Sequence, residues 1–314
     1  MGALRRRDLL RGACGLALAG CGRASGEPGT LRVAYMANLT HAPLLAGAVT
    51  GRLASALSPL RLEARLVNAG PRVVEALLGG SVDVGVAGPA AIVAAHALHG
   101  PVLTIVQGVC AGGASLVLHR GERADMLSQK TLATPQIAST QDVALRKFLR
   151  TSGRKTTDRG GDVRVTQLVP PVMKLELERG TLAGAWLPEP WASRLVMEAP
   201  AVRAIDERSL WPNGTFASAV VVVRTAFLHA RPHDVERFTR AVEQEIASAD
   251  ADESRHALAH ETHATWAADM WSQAWQRVRF TTDAMRAPIA AFARDAFDLG
   301  LLRASVDVGT LFAT

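Results

Sequence analysis

The chain has 314 residues, long enough to bury a large core and to build two lobes of ordinary domain size. It is 48% hydrophobic, 20% charged and 5% aromatic, a globular composition whose 27 glycines suit the close backbone packing of α/β proteins. The formal charge is +6, but Arg5, Arg6, Arg7 and Arg11, less Asp8, supply +3 of it at the extreme N-terminus. What remains is too mild and too dispersed for a nucleic-acid surface.

The N-terminus reads as an export signal. A basic stretch, "RRRDLLRG", precedes the apolar "ACGLALAG", which is too short to span a bilayer as a helix. Leu18–Cys21, "LAGC", resembles a bacterial lipobox, so residues 1–20 are expected to be a signal peptide and Cys21 the lipidated first residue of the mature chain. Arg6, Arg7, Leu9 and Leu10 also resemble a twin-arginine motif, which leaves both export routes open. Residues 21–29 form a lipidated tether rich in Gly, Ser and Pro. Cys14 falls in the signal and Cys21 takes lipid, so Cys110 has no partner for an intramolecular disulfide.

Strand-like and helix-like segments then alternate. "LRVAYM" reads as a strand, and Pro43–Leu57 repeats apolar residues at helical spacing. "LRLEARLV", "VDVGVAG", "VLTIVQGV" and "ASLVLHR" read as strands, with helices predicted in "PRVVEALLGG" and "AAIVAAHAL". From Lys130 a second set follows: strands "KTLAT", "VRVTQLV" and "LAGAWLP", and helices "TQDVALRKFLRTSG", "PPVMKLELERG" and "PWASRLVMEA". "TFASAVVVVRTAFL" predicts a long strand, and the remainder is mainly helical. This order predicts mostly parallel sheets covered by helices. Ala76–Pro89 and Leu177–Pro190 share one plan: a helix end, a glycine, Ser81 or Thr181, a buried strand and a proline-containing turn. Two lobes built alike would each present strand ends at a shared boundary, where open α/β sheets bind ligands.

"LRVAYMANLTHAPLLAG", "NAGPRVVEALLGGSVDVGVAGPAA", "GGASLVL", "LATPQIASTQDVALR" and "GAWLPEPWASRLV" together resemble the nitrate, taurine and aliphatic-sulfonate family of ABC-transporter substrate-binding proteins, in its sulfonate-binding-like branch. The resemblance runs from about Thr30 to the C-terminus. It implies a two-lobed, type II periplasmic-binding-protein fold, with lobe one at residues 30–113 plus 223–314, lobe two at 114–222, and hinges near "GGASL" and "SAVVV". It also implies a monomer that captures a small anion, catalyses nothing and needs no cofactor. Its partners would be a membrane permease with a cytoplasmic ATPase, and its place the periplasm or cell surface.

The residues give that expectation physical content. Asn38, Thr40 and His41 sit between a strand and a helix, where unpaired backbone N–H groups favour an anionic oxygen; alternatively Thr40 simply caps the helix. Gly88, Pro89 and Ala90 open another helix at a strand end, either as a tight turn or as a place for a ligand to approach the backbone. Gln136, Ser139 and Thr140 precede a third helix and complete a possible oxyanion cage, with Asp142 expected to cap and point away. Gly112 and Gly113 ease the crossing between lobes. Trp186 and Trp191 offer either an apolar wall for an alkyl or aryl tail or ordinary core packing. Glu189 would receive an ammonium or cap the helix after it. Ala183 stands where the family often has aspartate. His256, His260 and His263 lack zinc-protease spacing, and no metal is expected there. Relatives of this fold include pyrimidine-precursor synthases, but their cysteine-rich segment has no counterpart here.

Overall fold

The computed structural model describes residues 29–313, so the expected signal, Cys21 and most of the tether lie outside the described residues. The first run of elements is β1 (Thr30–Met36), α1 (Ala42–Val49), α2 (Arg52–Leu57), β2 (Arg61–Val67), α3 (Gly70–Leu78), β3 (Val84–Ala87), α4 (Pro89–His99) and β4 (Leu103–Gly112). The second is β5 (Ala114–His119), β6 (Thr131–Thr134), α5 (Thr140–Thr151), β7 (Arg164–Gln167), α6 (Pro170–Glu178), β8 (Gly184–Pro188), α7 (Trp191–Glu198) and β9 (Ala201–Asp206). The last is β10 (Ala217–Arg224), α8 (Thr225–Ala230), α9 (Pro232–Ala247), α10 (Ala251–Thr262), α11 (Ala268–Trp275), β11 (Val278–Phe280) and α12 (Arg286–Asp298).

These strands form two sheets, in the orders β11-β4-β10-β3-β1-β2 and β7-β6-β8-β5-β9. In the first, β1, β2, β3 and β4 share a direction while β10 and β11 oppose them. In the second, only β5 opposes the rest. The fold is therefore mixed α/β, and most strands of each sheet run one way. The inserted reversed strands nevertheless make three of the five pairings in the first sheet and two of the four in the second antiparallel, so the sheets are less parallel than the sequence predicts. The chain passes between sheets at Gly113 and returns before Ala217. Residues 217–222, assigned by sequence to lobe two, belong to the first sheet, because β10 pairs along its length with β4 and β3.

Both faces of each sheet are covered. Ala219, Val221 and Val223 of β10 point toward α1, α9 and α10, and Val220 and Val222 toward α4 and α12. A strand buried on both faces must be apolar throughout, which explains the run of valines. In the second sheet, Trp186 of β8 faces α5, and Ala185 and Leu187 face α6 and α7.

The internal echo is real in structure. Gly80 and Gly180 both adopt left-handed φ, 69° and 71°. Ser81 and Thr181 then donate their hydroxyls back to Ala76 O and Glu176 O. Where Asp83 accepts three bonds from Arg32, the matching Ala183 is buried in an apolar cluster instead. Three local expectations change. Gly51, at φ 80°, breaks the helix expected over Pro43–Leu57 into α1 and α2. The segment "TAFL" turns helical after β10. β9 and β11 emerge as additional strands, β9 as a polar edge whose half-exposed residues gave little apolar signal. Among the described residues no helix is long and apolar enough to cross a membrane.

Candidate functional site

Four helix starts, two from each sheet, surround the crossing at Gly113. The first follows β1. Asn38 leads into a 3-10 turn, Leu39–His41, and α1 begins with no side chain capping it. Thr40, expected as a possible cap, instead has its Oγ1 3.2 Å from His41 Nδ1. His41 has no exposed surface, and burial pushes its pKa down to about 4, with the Val86 backbone offsetting part of the shift. The imidazole is therefore neutral at neutral pH, and its Nε2 lacks a close hydrogen-bond partner, as does the buried Oδ1 of Asn38.

The second start follows β3. Gly88 is extended and Pro89 opens α4, again with no side-chain cap. Neither α1 nor α4 carries an acid in its first turn. Their first N–H groups and the positive ends of their dipoles are thus uncompensated by any side chain of their own.

The two starts from the second sheet differ. Ser139 Oγ caps α5 by accepting from Asp142 N at 3.2 Å. Asp142 is buried and faces inward, accepting from Thr134 Oγ1, Ala138 N and Arg146 Nε at 3.1, 2.9 and 3.1 Å. That network holds Ala138 at φ 56°, a left-handed conformation uncommon for alanine. At α7, Glu189 is fully buried: Oε2 accepts from Ser193 N at 2.9 Å. Its Oε1 lies 2.8 Å from Arg203 Nη2, a charge contact more than an aligned hydrogen bond. Glu189 thus caps its helix and is already paired with a cation.

The starts approach closely. A methyl group at Gly88 would sit 3.3 Å from both Thr140 Oγ1 and Ser218 O, so α4 and α5 meet across the two lobes there. Gly113, at φ 79°, accepts at its carbonyl from Glu189 N at 2.8 Å, and a methyl on it would lie 3.8 Å from Thr40 Cγ2 and collide with Val278. Gly112 adjoins it at φ 81°, with its carbonyl accepting from Ser218 Oγ at 2.7 Å. Thr40, Gly88, Gly112, Gly113, Thr140 and Glu189 are therefore gathered in one region, flanked by Asn38, His41, Pro89, Ala90 and Ser139.

The tryptophans part company. Trp186 has no exposed surface, packs 6.0 Å from Phe148, and donates its indole N–H to Glu207 at 2.6 Å. It belongs to the second sheet's core, because β8 alternation turns it toward α5, and it builds no wall of the cleft. Trp191 is half-buried and packs edge-on against Trp266 at 5.6 Å, joining α7 to the segment after α10 across the lobes. Arg194 lies 5.2 Å from both rings. Gln136 is exposed in the loop before α5.

Sequence reasoning missed Ser218, Trp266 and Arg203. Ser218 had a signal, being the polar interruption in "ASAVVVV". Arg203 had none, since it rides on the unforeseen β9. An open groove of about 920 Å³ runs from Asn38 past the carboxyl ends of β1 and β2, toward Arg72 and Glu261. Among the described residues no group of three His, Cys, Asp or Glu is placed to hold a metal. Burial raises the Cys110 thiol to about 12, leaving it unreactive.

Solved structures share this fold. The periplasmic aliphatic sulphonate binding protein SsuA from Escherichia coli aligns with a TM-score of 0.75 at 17% identity, covering 92% of this chain and 93% of that one. The alkanesulfonate-binding protein SsuA from Xanthomonas axonopodis pv. citri, bound to MOPS, aligns at 0.77 and 19% identity over 92% and 99%. The periplasmic nitrate-binding protein NrtA from Synechocystis PCC 6803 aligns at 0.74 and 14% identity over 89% and 84%. No curated protein matches in sequence. A family model does match residues 24–262, most of the length, and by that match the chain belongs to the NMT1-like family.

Proposed function

We propose that the protein is an extracytoplasmic solute-binding protein of an ABC importer, holding an aliphatic sulfonate or related small organic oxyanion between its lobes. One observation carries the reading: the start of α4, which no side chain caps, meets the hydroxyl-bearing start of α5 at the lobe boundary, with the equally uncapped start of α1 beside the crossing at Gly113. An oxyanion there would take backbone N–H groups from the first lobe and the Thr140 hydroxyl from the second. Asn38, Thr40, Gly88, Pro89, Ala90 and Thr140 form the contact set, Ser139 caps α5 beside them, His41 acts as a neutral donor, and Trp191 with Trp266 lies at the rim. Trp186 and Glu189, buried and already engaged by Glu207 and Arg203, have no part in contacting the ligand, while the exposed Gln136 can reach it only from the loop before α5. Each lobe alone binds weakly and both together bind well, which couples occupancy to closure. Residues 1–20 are removed on export, and Cys21 anchors the mature chain by lipid, with a membrane permease and its ATPase as partners. The fold shared with sulfonate- and nitrate-binding proteins supports an anionic solute.

A thermal-shift series with alkyl and aryl sulfonates, taurine, sulfate, nitrate and thiamin precursors tests this. A ligand that binds only the folded state raises the midpoint in proportion to ln(1 + [L]/Kd). The expected result is a rise with sulfonates that Thr140→Val weakens. A rise with nitrate or a thiamin precursor, and none with any sulfonate, overturns the ligand while leaving transport standing. Recovery of a chemically altered solute from the denatured protein would overturn the binding-protein reading itself.

A further inference from the structure

At the far end of α5 from the four helix starts lies a second pocket, of about 230 Å³, between the last turn of α5, the loop after it and the end of α12. Its wall carries Arg146, Arg150, Arg154, Lys155 and Arg159 against one lining acid, Asp298. Part of that charge is balanced from behind. Arg146 pairs with Asp142 at 3.1 Å and Asp158 at 2.9 Å, and Arg150 shares Asp295 with Lys147, at 3.1 and 2.6 Å.

The other three cations are not balanced in this way. Arg154 donates to the Asp125 carbonyl, and its Nε is sealed from solvent with no partner. Its field reaches Asp125 and Asp162, but those are already held by Arg123 and Ser128. Lys155 makes no ion pair among the described residues. Arg159 spends Nη2 on two carbonyls of the other lobe, Leu299 O at 3.0 Å and Gly300 O at 3.1 Å. A side chain at position 300 would push this guanidinium aside, since its Cβ would stand 2.7 Å from that same nitrogen. The negative end of the α5 dipole accounts for Arg150 in the last turn, but not for three cations beyond the helix.

We propose that this pocket is a second anion site, for phosphate or a small phosphate monoester, formed jointly by the two lobes. Arg154, Lys155 and Arg159 supply the charge, and planar guanidinium groups suit a multivalent oxyanion. Leu149 and Leu299 give room for a small apolar substituent. Because α5 and its loop belong to one lobe and α12 to the other, an occupant favours the arrangement in which the lobes touch. This inference is independent of the cleft ligand.

The test is thermal unfolding of the purified protein with inorganic phosphate against chloride at matched ionic strength. Phosphate at about ten times Kd should raise the midpoint by roughly 2–5 °C. Lys155→Glu, at an exposed and unpaired position, should abolish the rise without shifting the phosphate-free midpoint; Arg154→Gln with Lys155→Gln should do the same. Ala90→Asp, which lies away from this pocket, should leave the phosphate-induced rise intact relative to its own phosphate-free midpoint. No rise beyond chloride, or an undiminished rise in Lys155→Glu, overturns the proposal. So does a rise that survives Lys155→Glu but vanishes in Ala90→Asp, which would put the phosphate in the cleft. A failed sulfonate screen would not affect any of these outcomes.

Discussion

The two lobes bring their helix starts to one boundary but prepare them differently. In the lobe of the first sheet, α1 and α4 begin without a side-chain cap and without an acid in the first turn. In the other, α5 and α7 begin with caps, Ser139 and Glu189, and each start has a buried carboxylate bound to an arginine: Asp142 to Arg146, Glu189 to Arg203. The first lobe is thus left electropositive at the boundary, while the second is internally neutralised and offers hydroxyls. On the proposed function, the charge of a bound anion would rest on one lobe, and the other lobe would read its shape and close over it.

The largest effect should come from undoing the neutralised side. Glu189→Ala would strand Arg203 in a mostly buried position and uncap α7, at a cost of about 3–5 kcal/mol in urea unfolding. A loss below about 1 kcal/mol would mean that this pair is not a structural element, and the contrast between lobes would fail. Next comes converting the bare side into the capped kind. Ala90→Asp places a carboxylate in the first turn of α4 at a position only 9% exposed, so the favourable dipole is outweighed by the cost of desolvating the charge, and stability should fall by about 1–3 kcal/mol. It should also weaken anion binding by about 100-fold or more, through like-charge repulsion. Calorimetric titration beside thermal unfolding separates the two; binding that survives would locate the anion elsewhere.

How much of this contrast was legible beforehand depends on the range of the interactions involved. The paired glycines and hydroxyls at 80–81 and 180–181 were legible because turn chemistry is local. The positions of Thr40, Gly88 and Thr140 at helix starts were legible for the same reason. What the helix starts do with their N–H groups was not. Thr40 has the right chemistry for a cap, but the 3-10 turn before α1 gives its hydroxyl to His41. Trp186 and Trp191 stand five residues apart in one segment, and only the register of β8 and the cover provided by α5 send one into the core. Arg203, which decides that Glu189 is a capped and paired group and no receptor for an ammonium, comes from a polar edge strand fourteen residues later.

Proton linkage offers a third approach. Glu207 is buried beside the second crossing, accepting from Trp186 and Trp211 at 2.6 and 3.2 Å. Burial raises its pKa to about 8, against the two indole bonds, which lower it. The folded state therefore holds a proton that the unfolded chain loses above about 4.5, and stability falls as pH rises through that window to about 8. The slope is at most about 1.4 kcal/mol per pH unit. His41 acts oppositely: with its folded pKa near 4, stability falls as pH drops from 6.5 toward 4. Urea midpoints across pH 5–9 should decline above pH 6.5 in the wild type and flatten in Glu207→Gln. An unchanged decline in that variant would assign the titration to another group.

The smallest effect is the most direct test of division of labour between the lobes. Ser139 and Thr140 are adjacent hydroxyls at the same helix start, but Ser139 accepts from Asp142 N while Thr140 faces Gly88 across the boundary. Ser139→Ala should cost about 1 kcal/mol of stability, the ordinary value of a cap, with little change in affinity beyond that. Thr140→Val keeps the shape and loses the hydroxyl, so it should leave stability within about 0.5 kcal/mol and weaken anion binding by about 3- to 10-fold. If the two variants exchange these signatures, the hydroxyl that reads the ligand is the capping one, and the second lobe binds through its cap as well as through its free side chain.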